Sequence, residues 1–135
     1  MGAFIKQILH ISRLDDATTI MLEFESGPLG FIGTSMVIPD IAATAVFGTE
    51  KAAWSEGDGA RFFIQDSGSQ ERKEQSIETC DTVRDELEEF ARCIRGAGRP
   101  ETGGAEGLEV IVVLEAVLAS VRQGRIVELD EIRSG

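Results

Sequence analysis

The chain is poor in the side chains that most enzymes use for proton transfer and covalent chemistry. Its 135 residues include one histidine, no tyrosine, two cysteines and three lysines. General acid–base and nucleophilic mechanisms draw mainly on those groups, so a self-contained enzyme of this composition would work with carboxylates and little else. Cys80 and Cys93 make no disulfide framework in a chain long enough to bury its own core. The absence of a Cys-x-x-Cys or Cys/His cluster argues against a structural zinc site. Basic residues are scarce throughout: four face nine acidic ones in 1–67, and nine face fifteen in 68–135, for a net charge of −11. That balance cannot neutralise a phosphate backbone, so no nucleic acid partner is expected. Long hydrophobic runs are missing too. The longest, 110–121, is interrupted by Glu115 and is too short to span a bilayer. The first residues lack a charged segment followed by a long apolar core, so no signal peptide is read. One soluble cytoplasmic domain, with no membrane partner, is expected.

What is present divides by hydrophobic period. Residues 17–25 alternate, with Ile20, Leu22 and Phe24 on one face and Thr19, Met21, Glu23 and Glu25 on the other, the signature of a half-buried strand. Ser26-Gly27-Pro28 is a turn, and 29–37 resumes as the paired strand of a hairpin. Further strands are expected at 4–11, 41–47, 52–56, 60–66 and 71–77, the last polar and suited to an edge. Gly57-Asp58-Gly59 joins two of them as a tight turn. After residue 80 the period becomes helical. Asp81 or Thr82 can cap a helix ending near Ile94, with Val83, Leu87, Phe90, Ala91 and Ile94 as its apolar stripe. A second helix spans about 105–122 and is apolar on most sides, which predicts burial on several, and Gly124 stands at its stop. A last short strand is expected at 126–129. These elements make an α+β fold: a largely antiparallel, open-faced β-sheet (about 3–78) with two helices (about 81–95 and 105–122) packed on one face, all in a single domain, 1–135.

Several strings in this order resemble a known family. Phe24-Glu25-Ser26-Gly27-Pro28-Leu29-Gly30 is similar to a hairpin of the C-terminal domain of Gfo/Idh/MocA-type oxidoreductases. Val46-Phe47-Gly48-Thr49-Glu50-Lys51-Ala52 resembles a turn of that domain, and Glu89-Phe90-Ala91-Arg92-Cys93-Ile94-Arg95-Gly96 a helix end. The final block is the most specific: Pro100, Gly107-Leu108-Glu109, Leu114-Glu115-Ala116, Ser120 and Gly124-Arg125-Ile126-Val127-Glu128-Leu129. The resemblance implies a parent protein with an N-terminal Rossmann domain that binds NAD or NADP. That parent would transfer a hydride to or from a hydroxyl or carbonyl carbon of a sugar-like or polyol substrate. The family's glycine-rich phosphate loop, Glu-Lys-Pro segment and Asp-x-x-x-His helix have no counterpart here. Gly96 and Gly98 follow a helix and lack a third glycine, Glu50-Lys51 is followed by Ala52, and Lys6 stands four positions before His10. No catalytic, cofactor-binding or metal residue is therefore assigned to this chain, and by itself it is expected to bind no cofactor and to be inactive.

Weaker candidates come from position. Thr34, Ser35 and Asp40 end one strand and begin the next and could line the rim of a substrate pocket, although a plain strand–loop–strand connection is the preferred reading. Thr19, Met21 and Glu23 point away from the helix-covered side. Such an open face suits a homodimer about a twofold axis, and in the resembled family the sheet is the usual oligomer contact. His10 reads as a surface strand histidine rather than a general base. Asp15 and Asp16 read as a hydrated loop pair, and the run 85–89 as a solvated helix face. Cys80 and Cys93 read as structural thiols, and Trp54 as core or interface. Two rivals to the oxidoreductase reading are a stand-alone dimerisation or ligand-binding module and a carboxylate-only enzyme built on Asp15, Asp16 and Asp40.

Overall fold

The computed structural model describes residues 2–6, 16–78 and 80–134. Among the described residues seven strands and three helices follow one another: β1 (Gly2–Lys6), β2 (Ala17–Glu23), β3 (Leu29–Ser35), β4 (Ala43–Phe47), β5 (Lys51–Glu56), β6 (Arg61–Asp66), β7 (Lys73–Gln75), α1 (Thr82–Ile94), α2 (Gly104–Gln123) and α3 (Leu129–Arg133). All strand pairs are antiparallel, and they form two sheets, β1-β2-β3 and β4-β5-β6-β7. The α+β class expected from the change of period holds. The elements group into two compact units, one of Met1–Ile38 with Arg99–Gly135 and the other of Pro39–Gly98.

In the first unit the alternation along β2 decides what is buried. Ile20 lies beside Ala3 on the neighbouring strand and meets Val117 of α2, with Ile5 and Leu22 packed around them. The side of α2 that turns inward is not the leucine row. Val112, Ala116, Val117, Ala119 and Ser120 are its buried residues, while Leu108, Ile111, Leu114 and Leu118 are exposed. Small side chains let a helix approach a neighbour closely, and close packing outweighs side-chain size when one side of a helix is chosen. The expectation that this helix is buried on several sides is corrected accordingly. Gly124, at φ 62°, ends α2 in the left-handed conformation that suits glycine.

The end of the chain departs from the expected strand at 126–129. Residues 126–128 belong to no strand assigned among the described residues; Val127 is buried with Ala116 and Ala119, and Leu129 and Ile132 of α3 close over them. Glu131 fixes this turn. Its carboxylate accepts two bonds from the Arg125 guanidinium, at 3.0 and 2.7 Å, and a third from the Glu128 amide at 3.0 Å. The Arg125 bonds, with the amide second, hold the Glu131 carboxyl at about 2 rather than 4.5. The Glu131 carboxylate, three positions on from Glu128, satisfies an amide at the helix start and turns the chain into α3. The expected strand at 71–77 shrinks to β7, and that at 4–11 is described only as β1, since 7–15 lie outside the described residues.

Ser120 joins the parts of the first unit. Its hydroxyl accepts the Ala3 amide at 3.2 Å and donates to the Arg125 carbonyl at 2.7 Å, and the residue is buried. Ser120→Ala strips both backbone groups of their partner and should cost about 1–3 kcal/mol in urea unfolding. Acid gives a second test. A carboxyl whose folded pKa is depressed stabilises the fold above its unfolded value, and that contribution is lost as pH falls toward the folded value. Between pH 4.5 and about 2 the wild-type melting temperature should therefore fall more steeply than that of Glu131→Gln.

Candidate functional site

The open face of the first sheet carries Thr19, Met21 and Glu23, which pair across the hairpin with Gly33, Phe31 and Leu29. Met21, Leu29 and Phe31 are exposed. The Phe31 ring lies over Gly33, where a Cβ would stand 3.1 Å from it, so the aromatic side chain covers backbone that the glycine leaves bare. Thr34 and Ser35 are neighbours in sequence but lie on opposite faces. Thr34 pairs with Thr18 on the Ile20 side, and Ser35 with Ala17 on the Met21 side. The Ser35 hydroxyl accepts the Val37 amide at 3.3 Å, which shapes the turn leaving β3. Asp40 lies beyond that turn, in the second unit. The three expected rim residues are thus spread over two faces and two units. His10 and Asp15 lie outside the described residues, and Asp16 bonds its carbonyl to the Met36 amide at 2.8 Å.

In the second unit, Trp54 and Phe63 are cross-strand partners with stacked rings 5.4 Å apart. The Arg61 guanidinium sits 4.7 Å from the Phe63 centroid and Arg72 5.5 Å, both within cation–π range. Arg61 grips Glu74 through two bonds of 2.9 and 3.0 Å, and the Trp54 indole donates to Glu56 at 3.2 Å. The bonds to Arg61 hold the Glu74 carboxyl below its usual value and raise the guanidinium. On β5, β6 and β7, Lys73 and then Lys51 likewise depress Asp66. These shifts move away from neutrality, whereas a general acid or base works best with a pKa near the working pH. The charges lace a sheet together; they are not set up for proton transfer. Trp54 is a half-buried packing residue here. Among the described residues no group of three or more His, Cys, Asp and Glu could hold a metal. Cys80 and Cys93 are free thiols.

These strands and helices match a known domain. The family model for the C-terminal alpha/beta domain of the Gfo/Idh/MocA oxidoreductases aligns with residues 6–129. The chain belongs to that family. Three solved structures share its fold. A protein from Desulfitobacterium hafniense described as an NADPH-dependent oxidoreductase is 25% identical, with a TM-score of 0.86 over 97% of this chain and 42% of its own. UDP-N-acetylglucosamine 3-dehydrogenase from Acidithiobacillus ferrooxidans is 15% identical, with a TM-score of 0.76 over 90% and 40%. The WlbA dehydrogenase from Bordetella pertussis, solved with NADH and UDP-GlcNAcA, is 21% identical, with a TM-score of 0.71 over 91% and 36%. No curated protein matches the chain in sequence. The chain spans about two fifths of the length of these structures.

A dinucleotide pyrophosphate in this family would need free amides at a helix start. One amide at the start of each of the two long helices already has a side-chain partner. The Asp81 carboxylate accepts the Arg84 amide at 3.1 Å, and Glu106 accepts the Gly103 amide at 2.8 Å. Those backbone bonds also keep the Glu106 carboxyl below its usual value. No strand among the described residues enters a helix through a glycine-rich turn. These residues do not fit the cofactor's phosphates. No helix among them is long and apolar enough to cross a membrane. Because Phe63 is the buried ring of its sheet, Phe63→Ala should destabilise the fold by about 3–5 kcal/mol and shift Trp54 fluorescence, read together in one denaturation series.

Proposed function

We propose that this domain is the substrate-side and self-association half of an NAD(P)-dependent oxidoreductase. The parent moves a hydride between nicotinamide and a hydroxyl or carbonyl carbon of a sugar-like or polyol substrate. The family match over 6–129 carries the reading, and the dehydrogenases of similar fold, one solved with NADH and a UDP-sugar acid, support its substrate class. In this reading the N-terminal Rossmann domain supplies the phosphate loop and the acid–base groups. The present chain supplies a rigid sheet, individual substrate contacts on the pocket rim (Thr34 and Ser35 in the first unit and, separately, Asp40 in the second), and a homodimer contact at Thr19, Met21 and Glu23. Acting alone it binds no nicotinamide cofactor and turns over no substrate. The two free thiols favour a reducing, cytoplasmic setting.

Steady-state kinetics of the parent enzyme test the rim. Alanine at Thr34, Ser35 or Asp40 should raise KM several-fold with little change in kcat, as expected when ground-state and transition-state contacts are lost equally. Unchanged KM in all three removes the rim assignment. Sedimentation tests the face: Met21→Lys places a charge among apolar neighbours and should weaken self-association at least tenfold, and an unchanged association constant contradicts the contact.

A further inference from the structure

Arg125, in the turn after α2, is engaged in two directions. Its carbonyl accepts the Ser120 hydroxyl, which in turn accepts the Ala3 amide of β1, 117 positions earlier in the chain. Its guanidinium grips Glu131 of α3. A helix of five residues has no stability of its own, so α3 is held from outside. Two ionic contacts do this: Arg125 with Glu131, and Arg133 with Glu109 of α2. Two half-buried side chains, Leu129 and Ile132, add apolar contact with Val127, Ala116 and Ala119. All of these residues belong to the first unit.

The two sets of contacts differ in strength. Both ion pairs join half-exposed side chains, and pairs of that kind contribute about 1 kcal/mol or less each. The Ser120 bonds lie at a buried residue, where a lost partner leaves backbone groups unsatisfied. We propose that α3 is a latch: it opens and closes as one unit against α2, and each opening loosens the Ala3 anchorage of β1 through Arg125 and Ser120. The link is steric as well as polar. Closed, α3 keeps Val127 seated beside Ala116 and Ala119, and Val127 stands two residues after the carbonyl that Ser120 bonds. When α3 lifts, Val127 loses its cover and the Arg125 guanidinium loses Glu131, so nothing beyond residue 125 holds that carbonyl in line with the hydroxyl. Gly124, left-handed at φ 62° and without a side chain, gives the turn room to move. Coupling between distant groups requires an element with two arrangements that both groups bias, and α3 is that element. Because its fastenings are ionic and partly exposed, added salt favours the open arrangement.

The latch is independent of the oxidoreductase reading, and amide hydrogen exchange on the whole chain tests it. Glu109→Gln and Glu131→Gln each remove one ionic contact and keep the side-chain shape, and an amide oxygen at 131 can still accept the Glu128 N–H. The Ser134 amide bonds the Asp130 carbonyl when α3 is formed, so its exchange reports opening. Each variant should speed Ser134 exchange about threefold. The Ala3 amide should speed up with it, by about twofold or more, while the amides of β2 keep their wild-type rates. Raising sodium chloride from about 0.05 to about 0.5 M should act on wild type in the same direction, and less on the variants. In a Ser120→Ala chain the relay is cut, so adding Glu131→Gln should leave Ala3 exchange where Ser120→Ala alone puts it. Three results would overturn the latch. One is faster Ser134 exchange with Ala3 at its wild-type rate. Another is an equal rise at β2, which is general destabilisation. The third is an effect of Glu131→Gln on Ala3 that is the same with and without the Ser120 hydroxyl.

Discussion

The packing of α2's buried side, with Val117 against β1 and β2 and Ala116 and Ala119 against Val127 and α3, is the constraint on which the first unit depends. Ala116 is fully buried and Val117 meets Ile20 and Ala3, so there is no room for larger side chains on that side of the helix. Ser120 extends the same line of contact into hydrogen bonding, since one hydroxyl serves the first strand and the turn after α2. Val127 then fills the space beside Ala116 and Ala119, which fixes where the chain turns into α3. Burial, hydrogen bonding and chain direction all converge on five residues of one helix.

The second unit is held differently. Its sheet buries one aromatic ring, Phe63, and relies on cross-strand partners: Trp54 beneath it, guanidinium groups over it, and ion pairs on the strands around it. Exposed pairs of this kind contribute little individually and are screened by salt. Their pKa shifts record mutual neutralisation.

Much of the fold was legible in the sequence because the relevant signals are local. Alternation at Thr19–Met21–Glu23 against Ile20–Leu22 placed β2 and its faces, and Asp81 and Gly124 marked helix limits. Two features were hidden. The inward side of α2 could not be read from hydrophobicity, because leucines and valines occur all round it and the choice was made by steric fit to the sheet. The turn at the end was mistaken for a strand because Ile126 and Val127 favour extended backbone, while the deciding signal is the Glu131 carboxylate three positions after Glu128. The rim residues illustrate a different gap. Proximity in sequence does not report direction: a period of two sends Thr34 and Ser35 to opposite faces, and Asp40 belongs to the next unit.

We propose that the chemistry of the parent protein depends on residues outside this domain. Titrating the purified chain with NADH and with NADPH, while following nucleotide emission on excitation of Trp54, tests it most directly. The account expects no saturable binding and no energy transfer at millimolar cofactor. Saturable binding of either nucleotide by the isolated chain would contradict it.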